Sequence, residues 1–204
     1  MSPVVVHQVD ESSGVLLLRG EEVAEVRLLN EDTVWTAALP RELRSRIARA
    51  VGDAYRSLQA ELDFLVIEGA GSPVDLAAED DIPNIMVARL AAAPIVFSCK
   101  FSRGGGAASL IGSVLCLPDD VRRLVVGFSF SDAQREEDLE YSVELVQARV
   151  GIPYAGTVPR VPLWDAGIDS YELLAQTAAT RLDWRILRME ELLSRWQESS
   201  GEEA

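Results

Sequence analysis

Four short apolar runs constrain this chain more than any other feature: Phe64–Ile67, Pro94–Phe97, Leu124–Phe128 and Tyr154–Val158. Each is too short for a helix, and Phe64–Ile67 is too continuously apolar for a strand with one wet face. Such runs are expected of strands buried on both faces of a parallel sheet. The stretches between them read as helices: Ile82–Ala92, Ala107–Leu117 and a long charged helix over Ala133–Val150. Two further helices, Asp169–Thr180 and Trp184–Trp196, are expected to close the chain. Strand–helix alternation of this kind predicts an α/β fold, a mostly parallel sheet with helices on both faces.

The residues before Phe64 follow a different pattern. Val4–Val9, Val15–Leu18 and Glu22–Leu29 are apolar or alternating runs separated by the turn chemistry of Asp10–Gly14 and of Gly20-Glu21. They predict a short antiparallel meander within residues 1–35. Pro40 then opens a helix whose apolar face is Leu43, Ile47, Ala50, Val51, Ala54, Leu58 and Leu62. With no linker or repeat in its 204 residues, the chain is expected to form one domain with a frayed tail at 199–204.

Charge limits the partners. A formal net charge of −14 opposes nucleic-acid phosphates and anionic lipid. No run approaches the ~20 apolar residues that cross a bilayer, and the N-terminus lacks the basic region of a secretory signal, so a cytoplasmic location is expected. Cys99 and Cys116 sit in apolar runs without metal-ligand spacing, which argues against a disulfide framework. His7, the single histidine, lies in an apolar run and reads as a sheet residue rather than a base. Trp35, Trp164, Trp184 and Trp196 read as core or interface anchors, and the acidic REEDLE segment (135–140) as a solvated helix face.

Ligands of parallel α/β sheets collect at the carboxyl ends of the strands. The segment Glu68-Gly69-Ala70-Gly71-Ser72-Pro73 falls there, directly after Phe64–Ile67. Its glycines allow close backbone approach, and Glu68 is placed to hold a magnesium ion or a substrate amine. The plain alternative is a tight turn with a solvated glutamate.

The longer context, ELDFLVIEGAGSPVDLAAEDDIPNIMVARLAAAPIVF followed by SRGGGAASLIGSVLCLP, resembles the ATP-dependent amide-forming domain of cobyric acid synthase. That domain is grouped with dethiobiotin synthetase and the partitioning ATPases among the P-loop proteins. The likeness runs from about Leu43 to Pro159, with a looser match of LDWRILRMEELL to the closing helix of the group. The resemblance implies that Glu68 contacts metal or substrate, with Gly69, Gly71 and Ser72 in the same ligand-facing loop. It implies that Asp81 and Asn84 line the substrate side. Arg103-Gly104-Gly105 would form a loop near the active site or a dimer interface.

The departures from the family pattern carry equal weight. Nothing before Glu68 has the form GxxxxGK[ST], whose backbone amides and lysine hold nucleotide phosphates. The span before EGAGSP is short for the group, as though its first strand, loop and helix had given way to the meander. Lys100, the only lysine, and Ser102 stand where the family carries acidic residues, and Ser129-Phe130 replaces an Asn-Lys pair that contributes to base recognition. Two readings of Lys100 follow: a pair with Glu68 in place of metal, or a solvated lysine at a strand end. Arg103 has the same two readings, an anion or partner contact against a solvated side chain. No glutaminase half follows, and with His7 alone a Cys–His ammonia-releasing site is not expected.

Loss of the phosphate loop removes most of the stabilisation that phosphoryl transfer needs. The expectation is therefore a non-catalytic subunit, working as a homodimer or as a heterodimer with an intact homologue. A half-enzyme ligase of cobalamin-type cofactor synthesis is the second reading, with ATP and magnesium bound only alongside a partner. A nucleotide or metabolite sensor without turnover is the third.

Overall fold

The computed structural model describes residues 2–30, 33–34, 36–101, 104–133 and 135–159. The chain divides into two compact units, Met1–Ala92 and Ala93–Ala204, each with its own arrangement.

The first unit is built on an antiparallel meander. Strands β1 (Val4–Gln8), β2 (Ser13–Leu18), β3 (Glu21–Asn30) and the two-residue β4 (Thr33–Val34) pair in chain order. Alternation decides which face is covered. In β2, Gly14, Leu16 and Leu18 are buried while their neighbours are half-buried. Helix α1 (Arg41–Glu61) supplies the cover, with Leu43, Ile47 and Ala50 at helical spacing buried among Leu16, Leu18, Val26 and Leu39. Pro40 precedes its first turn, and the chain leaves the helix extended at Leu62 (φ −121°, ψ 134°). His7 is exposed on β1, in keeping with a sheet residue.

The second unit holds a parallel sheet. Strands β5 (Ile95–Lys100), β6 (Val125–Ala133) and β7 (Tyr154–Pro159) lie side by side in that order, all parallel. Helix α3 (Gly106–Cys116) crosses from β5 towards β6, followed by the single-turn α4 (Asp119–Arg122); α5 (Glu140–Val150) crosses from β6 to β7. Ala107, Leu110 and Val114 of α3 and Val146 of α5 close over Phe128 and Phe130 of β6 in one core. α3 and α5 contribute to this one core, so both crossover helices cover the same face of the sheet. Phe128 and Phe130 are fully buried and meet edge-on at 5.6 Å between ring centroids. Burial of such a side chain contributes about 1.5–3 kcal/mol, which makes β6 the strand that organises the unit.

An antiparallel meander followed by a parallel α/β sheet is the architecture the sequence pattern indicates. Two local expectations give way. The helix expected over Ala133–Val150 begins later, because β6 continues to Ala133 to pair with Pro159; a 3-10 turn (Glu136–Leu139) then leads into α5. The strand expected at Phe64–Ile67 is absent. This run is irregular, with Phe64 51% exposed, Val66 78% and Ile67 42%. A fully buried parallel strand needs neighbours on both edges and cover on both faces. The described part of the first unit forms no ladder with this run. Trp35 and the expected closing helices and tail, 169–180, 184–196 and 199–204, lie outside the described residues.

Candidate functional site

The EGAGSP loop is held in place from one side by the helix that follows it. That helix opens as a π turn (Ile82–Met86) and continues as α2 (Val87–Ala91), with Pro83 near its start, where a missing N–H is harmless. Asp81, only 2% exposed, caps it: Oδ1 accepts from the backbone N–H of Asn84 at 2.7 Å and of Ile85 at 3.0 Å. Oδ2 accepts from Asn84 Nδ2 at 3.0 Å. The Asn84 amide then reaches the loop. Nδ2 donates to the Ala70 carbonyl at 2.8 Å, and Oδ1 accepts from the Ala70 N–H at 3.1 Å. This reciprocal pair imitates one rung of a β-ladder.

Gly69 is dictated by that contact. A Cβ at this position would lie 2.2 Å from Asn84 Oδ1, so any side chain would drive the amide away from Ala70. Gly71 takes a left-handed conformation (φ 62°), and Ser72 Oγ accepts from the Val74 N–H at 3.4 Å. A second tie braces the same region. Arg44 of α1 pairs with the Asp80 carboxylate, and Thr36 Oγ1 donates to the Asp80 carbonyl. Sequence reasoning passed over Asp80, Arg44 and Thr36; their one signal was the doubled Asp80-Asp81 before a proline.

The six expected site residues of the first unit thus fall into two groups. Gly69, Asp81 and Asn84 are joined in one hydrogen-bonded assembly, where Asp81 and Asn84 act as positioning residues for the loop. Both Nδ2 protons of Asn84 are already used within the chain. Glu68 is exposed, while Gly71 and Ser72 complete the turn beyond it. Glu68 is therefore the loop's free functional group, carried on a braced backbone at the end of an exposed apolar run. Among the described residues no group of three or more His, Cys, Asp or Glu is placed to hold a metal ion.

The other expected residues lie in the second unit, at the carboxyl end of β5. Lys100 is exposed on the last residue of the strand, and the Phe101 N–H continues the pairing to the Ser131 carbonyl at 2.8 Å. Gly104 is exposed in the turn, and Gly105 (φ 88°) precedes α3, its carbonyl accepting from the Ser109 N–H at 2.9 Å. Arg103 lies outside the described residues. Cys99 is half-buried on β5, its thiol pushed up by burial from an ordinary value of 9.0, and its Sγ faces the Gly106 carbonyl at 3.5 Å. Ser129 and Phe130, which stand where the family pattern has its Asn-Lys pair, are both buried in β6.

A stretch of 164 residues, 78% of this chain, is 35% identical to a probable cobyric acid synthase of Archaeoglobus fulgidus. Over 123 residues, 59% of the chain, identity is 38% to the cobyric acid synthase of Carboxydothermus hydrogenoformans. The enzyme of Syntrophobacter fumaroxidans is 29% identical over 161 residues, again 78% of the chain. These matches support a cobyric acid synthase-like domain. The aligned parts make up only 25%, 33% and 30% of the Carboxydothermus, Archaeoglobus and Syntrophobacter proteins, so the chain corresponds to about a quarter to a third of each. No family model matches the chain, and no solved structure does. No helix among the described residues is long and apolar enough to cross a membrane.

Proposed function

We propose that this cobyric acid synthase-like chain is a subunit that works by association, as a homodimer or beside an intact homologue, and does not turn over ATP alone. The observation that carries the reading is the exposed run Phe64–Ile67. Its composition is that of a core strand, yet the described residues give it no ladder, and it leads straight into the braced EGAGSP loop. A strand from a second polypeptide would both cover these side chains and pair the backbone.

The half-enzyme alternative draws on Glu68. Magnesium in nucleotide sites is held by one or two carboxylates plus the phosphates themselves. A single exposed Glu68 fits that chemistry only beside a bound triphosphate that another chain would anchor. Corrinoid carboxylates are the substrate class this alternative implies.

Native mass spectrometry of the chain, alone and mixed with an intact cobyric acid synthase, tests the proposal. A dimer or a mixed complex is expected, with no ATP hydrolysis by the chain alone. A strict monomer under both conditions contradicts it, as does ordinary turnover by the isolated chain. If the complex is active, Glu68→Ala decides between the readings. Abolished activity favours the half-enzyme, and unchanged activity favours the non-catalytic subunit.

A further inference from the structure

A second, unrelated feature lies on the meander unit. Arg19, Arg46 and Arg49 line an open depression of about 250 Å³, floored by Leu18 and Ala50 and edged by Asp53. Three guanidinium groups and one carboxylate give this lining a formal charge of +2 in a chain whose net charge is −14. Such a local reversal of sign concentrates anions against a surface that otherwise repels them. Leu18 and Ala50 are buried, so the floor is apolar and weakens the screening of charges above it.

Two of the three arginines are not spent on internal pairs. Asp53 pairs with Arg19 at 3.3 Å and with Arg56 at 2.6 Å, so one carboxylate serves two cations. Among the described residues Arg46 and Arg49, one turn apart on α1, have no ion pair or hydrogen bond to their side chains. Like charges at this spacing repel unless an anion lies between them.

The backbone under Arg19 adds an independent sign. Arg19-Gly20 is the two-residue hairpin between β2 and β3, with φ of 54° and 89°. Both central residues of this turn require positive φ, which favours Asn, Asp or Gly at the first. An arginine there works against local propensity, and such violations gather at functional positions.

We infer that the depression formed by Arg19, Arg46 and Arg49 is a binding site for a compact phosphate-bearing ligand. Planar guanidinium forks suit bidentate contact with phosphate oxygens. The cavity is smaller than the ~300–1,000 Å³ typical of sites that enclose a whole drug-sized ligand. It therefore takes a phosphate or diphosphate head and leaves the remainder of the ligand in solvent.

Calorimetry of the full-length chain with inorganic pyrophosphate at low ionic strength tests this. Saturable binding is expected, at least about tenfold weaker in Arg46→Gln/Arg49→Gln, a loss of about 1.4 kcal/mol. Both side chains are exposed on α1, so the double variant is expected to fold. Arg19→Gly supplies a second arm: it relieves the positive φ, so Tm holds or rises while pyrophosphate affinity falls. Arg135→Gln, which alters an exposed pair with Asp138, leaves binding unchanged. No binding in the millimolar range, or binding indifferent to Arg46 and Arg49, overturns the site. Citrate bound as tightly as pyrophosphate overturns the phosphate assignment.

Discussion

Phe64–Ile67 and Val125–Phe130 look alike as sequence and end in opposite environments. The second became the centre of a parallel sheet, with β5 and β7 bonded on its two edges and α3 and α5 closing over its phenylalanines. The first is irregular, exposed at Phe64, Val66 and Ile67, and outside any ladder of the described residues. Their difference is one of neighbours, not of composition. An apolar run states a demand for burial, and only flanking strands within reach can meet it. For β6 those strands come from this chain; for Phe64–Ile67 they are proposed to come from another.

The comparison can be broken first at β6. Phe130→Ala removes a fully buried ring that packs edge-on against Phe101 at 5.2 Å and Phe128 at 5.6 Å. About 3–5 kcal/mol of destabilisation is expected in urea unfolding. A cost below about 1 kcal/mol would show that β6 does not organise the second unit.

A smaller effect is expected at Asp81→Ala, which strips the cap from Asn84 and Ile85 and frees the Asn84 amide. The expected cost is about 1–3 kcal/mol, with faster amide exchange at Ala70. Unchanged exchange at Ala70 would mean that the loop is not braced through this assembly.

Val66→Asp sharpens the contrast directly. In the isolated chain its cost should stay within about 0.5 kcal/mol, because the side chain is already in solvent. Association should be lost. A large loss of stability in the monomer would show instead that the run is buried by the chain itself.

The smallest effect concerns the thiols. Burial raises the Cys99 thiol from its ordinary value of 9.0, whereas Cys116 is exposed. At pH 8 iodoacetamide should modify Cys116 first, with the gap closing in denaturant. The sign for stability follows. Below 9.0 the thiol is protonated in both states, and above it the thiolate favours the unfolded chain, so stability falls as pH rises through that region. Equal alkylation rates in the native protein would contradict the burial of Cys99.

Much of this architecture was legible before any coordinates. The helical spacing Leu43, Ile47, Ala50 defines α1 through local period alone, and it packed as that period requires; Val15–Leu18 reads only as an apolar run, and its alternation of burial belongs to the structure. Phe128 was equally plain, whereas Phe130 lay beyond the expected strand Leu124–Phe128 and joins the core because β6 runs on to Ala133. What could not be read was pairing. Nothing in DFLVIEGAG says which chain supplies the adjacent strand, and the late start of α5 depends on Ala133 being paired with Pro159, 26 residues away. Within the loop, Gly69, Asp81 and Asn84 were singled out from a resemblance as ligand-facing residues. Their hydrogen bonds to one another are tertiary facts, and so is the convergence of Arg19 with Arg46 and Arg49 from a hairpin and a helix.

Hydrogen exchange at Leu65–Gly69 is the most direct measurement, made on the dilute monomer and again on the chain mixed with an intact cobyric acid synthase. Fast exchange in the monomer and strong protection in the complex are expected, since a partnered strand must satisfy these amides. Protection already complete in the monomer, or exchange equally fast in both samples, would contradict the assignment of Phe64–Ile67 as the strand that a partner completes.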